Sequence, residues 1–146
     1  MSSTQRLRHL PARYTGGERG GITSICSAHP LVIEAALLEG IATNTDVLIE
    51  ATCNQVNQDG GYTGMQPADF VRRVAEAAEG AGLASDRIVL GGDHLGPQPW
   101  RKSSAAEAMD KARAMVDAYV RAGFSKIHLD CSMRCADDPD MLAEAT

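Results

Sequence analysis

Four short apolar runs punctuate the chain, and each is followed by polar residues and then by a segment with helical spacing of apolar positions. The first run covers 21–27 (GITSICS). Pro30 then suits the first turn of a helix, and Leu31, Ala35, Leu38 and Ala42 give that helix an expected apolar stripe. The second run, 47–52 (VLIEAT), leads into a long polar loop with Gly60, Gly61 and Gly64. Pro67 and Asp69 fit a helix start, with Phe70, Val74, Ala77, Ala78 and Ala81 on one face and Arg72, Arg73, Glu76 and Glu79 away from it. The third run is 87–92 (RIVLGG). After a turn with Pro97 and Pro99, Ser104 and Glu107 make a capping-box pattern. A broad stripe follows, Ala108, Met109, Ala112, Met115, Val116, Tyr119 and Val120, and Gly123 is a C-terminal stop. The fourth run is 126–131 (KIHLDC), after which Asp138 and Pro139 open a further helix toward Thr146.

Strands separated by helices predict right-handed βαβ units and a parallel sheet. Four units fit either an open doubly wound sheet or half of a TIM (β/α)8 barrel. Each strand delivers polar groups at its C-terminal end: His29, then Glu50 with Asn54 and Gln55, then Asp93 and His94, then His128 and Asp130. In a barrel those ends converge on one mouth, whereas an open sheet concentrates its site at the switch point. The expected fold class is therefore α/β, a TIM barrel of which this chain covers the first four βα units. Residues 1–20 read as a basic lead segment, either a solvated tail or a short leading helix, and 21–146 as the N-terminal half of the barrel domain. Strand parity places His128 and Asp130 on one face, toward the interior. Ile127, Leu129 and Cys131 take the other, toward the helices.

Composition narrows the function classes. The 146 residues include 14 basic and 19 acidic side chains, a net charge of −5, with 44% hydrophobic and 4% aromatic residues. That acidic balance disfavours nucleic acid as a partner. No apolar stretch reaches the roughly 18 residues a membrane span requires. Arg6, Arg8, Arg13 and Arg19 are followed by no apolar core of a secretory signal, so the expected location is cytoplasmic. Cys26, Cys53, Cys131 and Cys135 match no zinc-finger spacing and read as buried, reduced thiols.

Ionisable groups inside a barrel mouth are costly unless they are paired or bind something, which is the physical reason to expect a site here. Asp93 and His94, between glycines in 91–96, stand where strand becomes loop. A carboxylate there can move a proton, and an imidazole can bind a divalent metal or polarise a carbonyl. With Glu50, His128 and Asp130 nearby, the set suits proton abstraction beside a carbonyl with metal assistance, as in aldol cleavage or sugar epimerisation. Asp93, Glu50 and Asp130 are the candidate catalytic carboxylates, and His94 and His128 the candidate metal ligands. The loop 54–64 offers Asn54, Gln55, Gly60 and Gly61 to a sugar or phosphate, with a plain surface loop as the alternative; Ser27 and His29 are further binding candidates, helix capping being the favoured reading for Ser27 and His29 being able to reach the mouth. No GxxxxGK[ST] phosphate loop, GxGxxG fingerprint or GxSxG elbow occurs.

The ordered segments 26–32, 49–52, 54–56, 60–65, 91–97 and 128–133 closely resemble the GatZ/KbaZ-type family. Its members are named as the accessory, non-catalytic subunit of class II D-tagatose-1,6-bisphosphate aldolase. Related members are described as 4-epimerases on tagatose 6-phosphate, and some carry a kinase label that no motif here supports. The resemblance spans about Gly21 to Asp138. It implies a TIM barrel, galactitol, tagatose or N-acetylgalactosamine catabolism, a ketose phosphate or bisphosphate as ligand, a catalytic aldolase subunit as partner, and an oligomer. More distantly it implies a divalent metal, zinc, since catalytic class II aldolases carry an Asp-His step like Asp93-His94. Family members are far longer, so the resemblance also implies an N-terminal fragment or a truncated, inactive half-barrel.

Overall fold

The computed structural model describes residues 3–130 and 132–139. Cys131 and the helix expected toward Thr146 lie outside the described residues. Helices and strands alternate as α1 (Ser3–Thr15), β1 (Ser24–Cys26), α2 (Pro30–Thr43), β2 (Val47–Thr52), α3 (Pro67–Ala81), β3 (Ile88–Leu95), α4 (Ala105–Ala122) and β4 (Lys126–Leu129). The boundaries follow the expected signals. Ser104 accepts from the Glu107 amide at 3.3 Å, and Gln66 and Asp69 form a reciprocal capping box on α3. Gly82 and Gly123 end α3 and α4 with φ of 82° and 102°, the left-handed conformation that closes a helix.

The strands form one sheet in the order β1-β2-β3-β4, with every neighbour parallel. The order is sequential and contains no reversal, unlike the start of a doubly wound sheet. Each βα unit therefore extends the sheet in the same direction. Val47, Ile49 and Ala51 of β2 pack against Ile33 and Leu37 of α2, Phe70, Val74 and Ala78 of α3, and Met115 and Tyr119 of α4. Burying each large side chain contributes about 1.5–3 kcal/mol.

The opposite face carries, in register, Ser24 beside Leu48, then Cys26, Glu50, Gly91 and Lys126 as lateral neighbours, then Thr52 beside Asp93. The lead segment is a helix. From α1, Arg6 makes a bidentate pair with Asp46 at 2.6 Å and reaches the Asp86 carbonyl at 3.2 Å. Thr4 meets Ser125 at 3.1 Å. These partners precede β2, β3 and β4, so α1 spans the N-terminal ends of the strands.

Three expectations are corrected. On α2 the buried face is Ile33, Leu37 and Gly40, while Leu31 and Leu38 are 67% and 50% exposed and Ala35 and Ala42 are exposed too. The helix PLVIEAALLEGIAT carries two charged residues, so apolar spacing marks two opposed stripes and only the sheet selects one. Gly40 belongs to the inner stripe because a Cβ there would strike the Val47 side chain. Leu129 is 61% exposed, since nothing among the described residues pairs with the outer edge of β4. Cys53 and Cys135 are buried free thiols, but Cys26 is exposed on the open face of the edge strand β1.

Candidate functional site

The site begins with an irregularity between β3 and β4. Gly92 pairs with Ile127 and Leu95 with Leu129, so Asp93 and His94 together stand opposite His128. This is a β-bulge, which re-aims side chains that regular alternation would send to opposite faces. His94 has φ of 50°, a left-handed conformation that a non-glycine residue adopts only when its surroundings enforce it. The enforcement is visible on both sides. The Asp130 amide donates to the Leu95 carbonyl at 2.9 Å, and Gly96 lies so close to the Asp130 carbonyl that a Cβ has no room.

The bulge brings Asp93, His94 and His128 together, with one ligand atom of each within 4.8 Å of the others. His128 Nδ1 lies 2.9 Å from Asp93 Oδ1, and His94 Nδ1 lies 3.3 Å from Asp130 Oδ2. The two imidazole rings are 4.5 Å apart at a tilt of 56°. A carboxylate only accepts, so each imidazole donates from Nδ1 and turns Nε2 away from that carboxylate. Asp93, His94 and His128 thus offer one oxygen and two nitrogen donors, a set that fits a divalent metal ion.

Burial by itself would raise the Asp93 pKa. The hydrogen bonds from His128 and Cys26, with His94 and the Lys126 ammonium nearby, outweigh it and hold the carboxyl below its ordinary value. Asp130 is lowered to about 2, chiefly by hydrogen bonds from the Ser132 hydroxyl and amide, with His94 adding to them. Both are ionised at neutral pH.

Beneath this cluster lies a second one. Glu50 is 2% exposed, accepts from the Ser24 hydroxyl through Oε2, and pairs through Oε1 with the Lys126 ammonium. Among the described residues that oxygen has this ion pair and no hydrogen bond of ordinary angular geometry. The charges belong to β2 and β4 and meet across β3 because Gly91 stands between them; a Cβ on Gly91 would overlap the Glu50 carboxylate. Lys126 also lies 4.0 Å from Asp93 Oδ1, linking the two clusters. Lys126 was missed in the sequence, yet its parity with His128 and Asp130 was a usable signal.

Of the remaining candidates, Gln55 is linked to this centre through Cys26, and the others have local partners. Gln55 Oε1 accepts from the Thr52 amide at 2.8 Å and lies 3.9 Å from Cys26 Sγ. Asn54 is exposed. The amides of Gly60 and Gly61 already donate within the loop, to Asn57 O at 2.9 Å and Asn57 Oδ1 at 3.0 Å. Buried Asn57 also donates to the Cys53 carbonyl at 2.8 Å, so it organises the loop. His29 is the N-cap of α2, its Nδ1 accepting from the Leu31 amide at 3.3 Å, and Ser27 in turn accepts from the His29 amide at 3.2 Å.

Comparison with known proteins places this arrangement. The family model described as D-tagatose-1,6-bisphosphate aldolase subunit GatZ/KbaZ-like matches residues 7–146. A protein of Agrobacterium fabrum named D-tagatose 6-phosphate 4-epimerase is 56% identical over 143 residues, covering 98% of this chain and 34% of its own length. The D-tagatose-1,6-bisphosphate aldolase subunit GatZ of Klebsiella pneumoniae is 60% identical over 133 residues, covering 91% and 31% respectively. The crystal structure of a probable tagatose 6 phosphate kinase from Sinorhizobium meliloti superposes with a TM-score of 0.81 at 60% identity, over 85% of this chain and 32% of that one. The chain thus spans about a third of the length of these relatives. With its match extending over nearly every residue, the chain belongs to the GatZ/KbaZ-like family of D-tagatose-1,6-bisphosphate aldolase subunits.

Proposed function

We propose that residues 21–146 are the N-terminal half of a (β/α)8 barrel and that the chain serves as an accessory subunit of a class II D-tagatose-1,6-bisphosphate aldolase. In this reading it supports the activity and stability of the catalytic subunit in cytoplasmic galactitol, tagatose or N-acetylgalactosamine catabolism. Four sequential parallel strands, with polar groups gathered at their C-terminal ends, support the barrel. The observation that carries the accessory role is the 60% identity to the Klebsiella subunit. No helix among the described residues is long and apolar enough to cross a membrane, in keeping with a role in small-molecule metabolism. The test is co-expression with a catalytic class II aldolase subunit. The expected outcome is co-purification, a higher melting temperature of the partner and faster cleavage of tagatose 1,6-bisphosphate. An unchanged partner that does not co-purify would sink the accessory role.

The bulge cluster favours a second reading, metal-dependent 4-epimerisation of a ketose phosphate. His94 and His128 would hold zinc through their Nε2 atoms, and zinc bound there would polarise a carbonyl. Asp93, ionised and beside both imidazoles, is the group to accept a proton. Asp130 keeps His94 turned to the mouth, and Glu50 with Lys126 anchors the floor. Asn54 and Gln55, with Gly60, Gly61, Ser27 and His29 around the rim, are the proposed sugar-facing set. Incubation with tagatose 6-phosphate and zinc, without a partner, is expected to give fructose 6-phosphate under this reading. Asp93→Asn is expected to lower that turnover by about 100-fold or more. A variant turning over like the parent would remove Asp93 from the chemistry.

A further inference from the structure

We infer that Lys126 is a further catalytic residue of the mouth, whose ammonium hydrogen-bonds the substrate oxygen at which Asp93 exchanges a proton. The inference rests on the epimerase reading of this site. Its basis is a gap. Lys126 Nζ lies 4.0 Å from Asp93 Oδ1, too far for the two to hydrogen-bond each other. One oxygen atom between them can lie about 2.8 Å from both. A place within reach of both a proton acceptor and a fixed donor is where a reacting atom can sit.

The donor is tethered. Lys126 stands in register with Gly91, and Gly91 with Glu50, so the lysine crosses a residue without a side chain to reach the Glu50 carboxylate. Ser24 holds Glu50 from the other side. An ammonium carries three protons, and pairing with Glu50 leaves others for a ligand. The Lys126 side chain is 29% exposed and that of Glu50 3%, so the lysine is the member open to the mouth. Stability alone does not call for this pair. On the same face, one layer below, Leu48 and Val89 stand in register and are buried, so apolar side chains fit there. Apolar residues of similar size commonly match a buried ion pair in stability. A fixed, partly buried cation gains most where charge develops on a bound oxygen. As Asp93 takes the proton of a substrate hydroxyl, the negative charge passes from the carboxylate to that oxygen. The ammonium keeps its three protons and holds the oxygen until the proton returns.

The chain has three lysines, Lys102, Lys111 and Lys126, so the Lys126 side chain can be followed by carbon NMR. Adding tagatose 6-phosphate to the zinc-loaded chain is expected to shift the Lys126 Cε resonance and to leave that of Lys111, on α4, in place. Lys126→Met alone would leave Glu50 buried without its cation, so the kinetic test uses Glu50→Gln/Lys126→Met, which removes both charges. The double variant is expected to melt within about 4 °C of the parent. Its kcat for forming fructose 6-phosphate is expected to fall about 100-fold, with KM within about threefold, because the ammonium acts mainly on charge that develops in the transition state. Three results would overturn the proposal and leave the epimerase reading standing: a double variant with full kcat, a loss confined to KM, or a Lys126 resonance unmoved by sugar in a parent that turns over. A double variant that no longer melts cooperatively would make the pair structural and overturn it too. A parent with neither turnover nor any sugar-induced shift would sink the epimerase reading itself, and this inference with it.

Discussion

Gly91 has no side chain, and the Glu50–Lys126 pair occupies the space one would fill. Gly91→Ala is expected to destabilise the chain by about 1–3 kcal/mol, the usual penalty of overpacking a closed site, read by urea denaturation. A glycine with open space, Gly80 on α3, gives the control: Gly80→Ala is expected to be neutral or stabilising. Cys26 makes a second residue-scale case. Its thiol is pushed up to about 12 by desolvation, with the Asp93 and Glu50 carboxylates adding to it. The ordinary value is 9.0, so the folded chain favours the protonated thiol. Stability from this source is complete below about pH 9 and is lost as pH rises toward about 12. Although exposed, Cys26 is therefore expected to alkylate several-fold more slowly at pH 8 in the native chain than in urea. Peptide mass spectrometry would settle this, and equal rates in both states would contradict the account.

Among the elements, α4 does most to brace the mouth. The buried Tyr119 hydroxyl donates to the Val56 carbonyl at 2.8 Å, and its ring meets Phe124 at 4.4 Å with a tilt of 48°. A helix on one side of the sheet thereby fixes the loop that crowns its C-terminal end. Tyr119→Phe keeps the ring but strands a buried carbonyl, with an expected loss of about 1 kcal/mol in thermal or urea melts. Sequence periodicity located the buried faces of α3 and α4, apart from Val120, which is 55% exposed, because charged residues on their outer faces leave one apolar stripe apiece. It failed on α2 because that helix is apolar on both sides, and periodicity cannot say which side meets the sheet. The same logic limits β3. Alternation would separate Asp93 from His94, and only the shifted pairing with β4 lets both reach His128.

At the scale of the whole molecule, the sheet has two inner strands, β2 and β3, and two edge strands, β1 and β4, among the described residues. β2 and β3 have a paired strand on both sides along their central residues, whereas β1 has three residues and β4 ends at exposed Leu129. Hydrogen exchange is expected to be slowest in β2 and β3 and at least tenfold faster in β1 and β4, as edge strands open more readily. Uniform protection across all strands would show that something covers both edges in solution. The sequence by itself determined the alternation of strand and helix, the parallel sheet, the family, and the identity of Glu50, Asp93, His94, His128 and Asp130, because periodicity and motif order are properties of the chain read locally. Tertiary structure decided what those groups do to one another. The bulge that joins Asp93 to His94, the reach of Lys126 over Gly91 to Glu50, the docking of α1 beneath the strands and the outward turn of the Leu31–Leu38 stripe all depend on register between distant segments. No local pattern encodes that register, since it is fixed only when the strands pair and the helices choose a face.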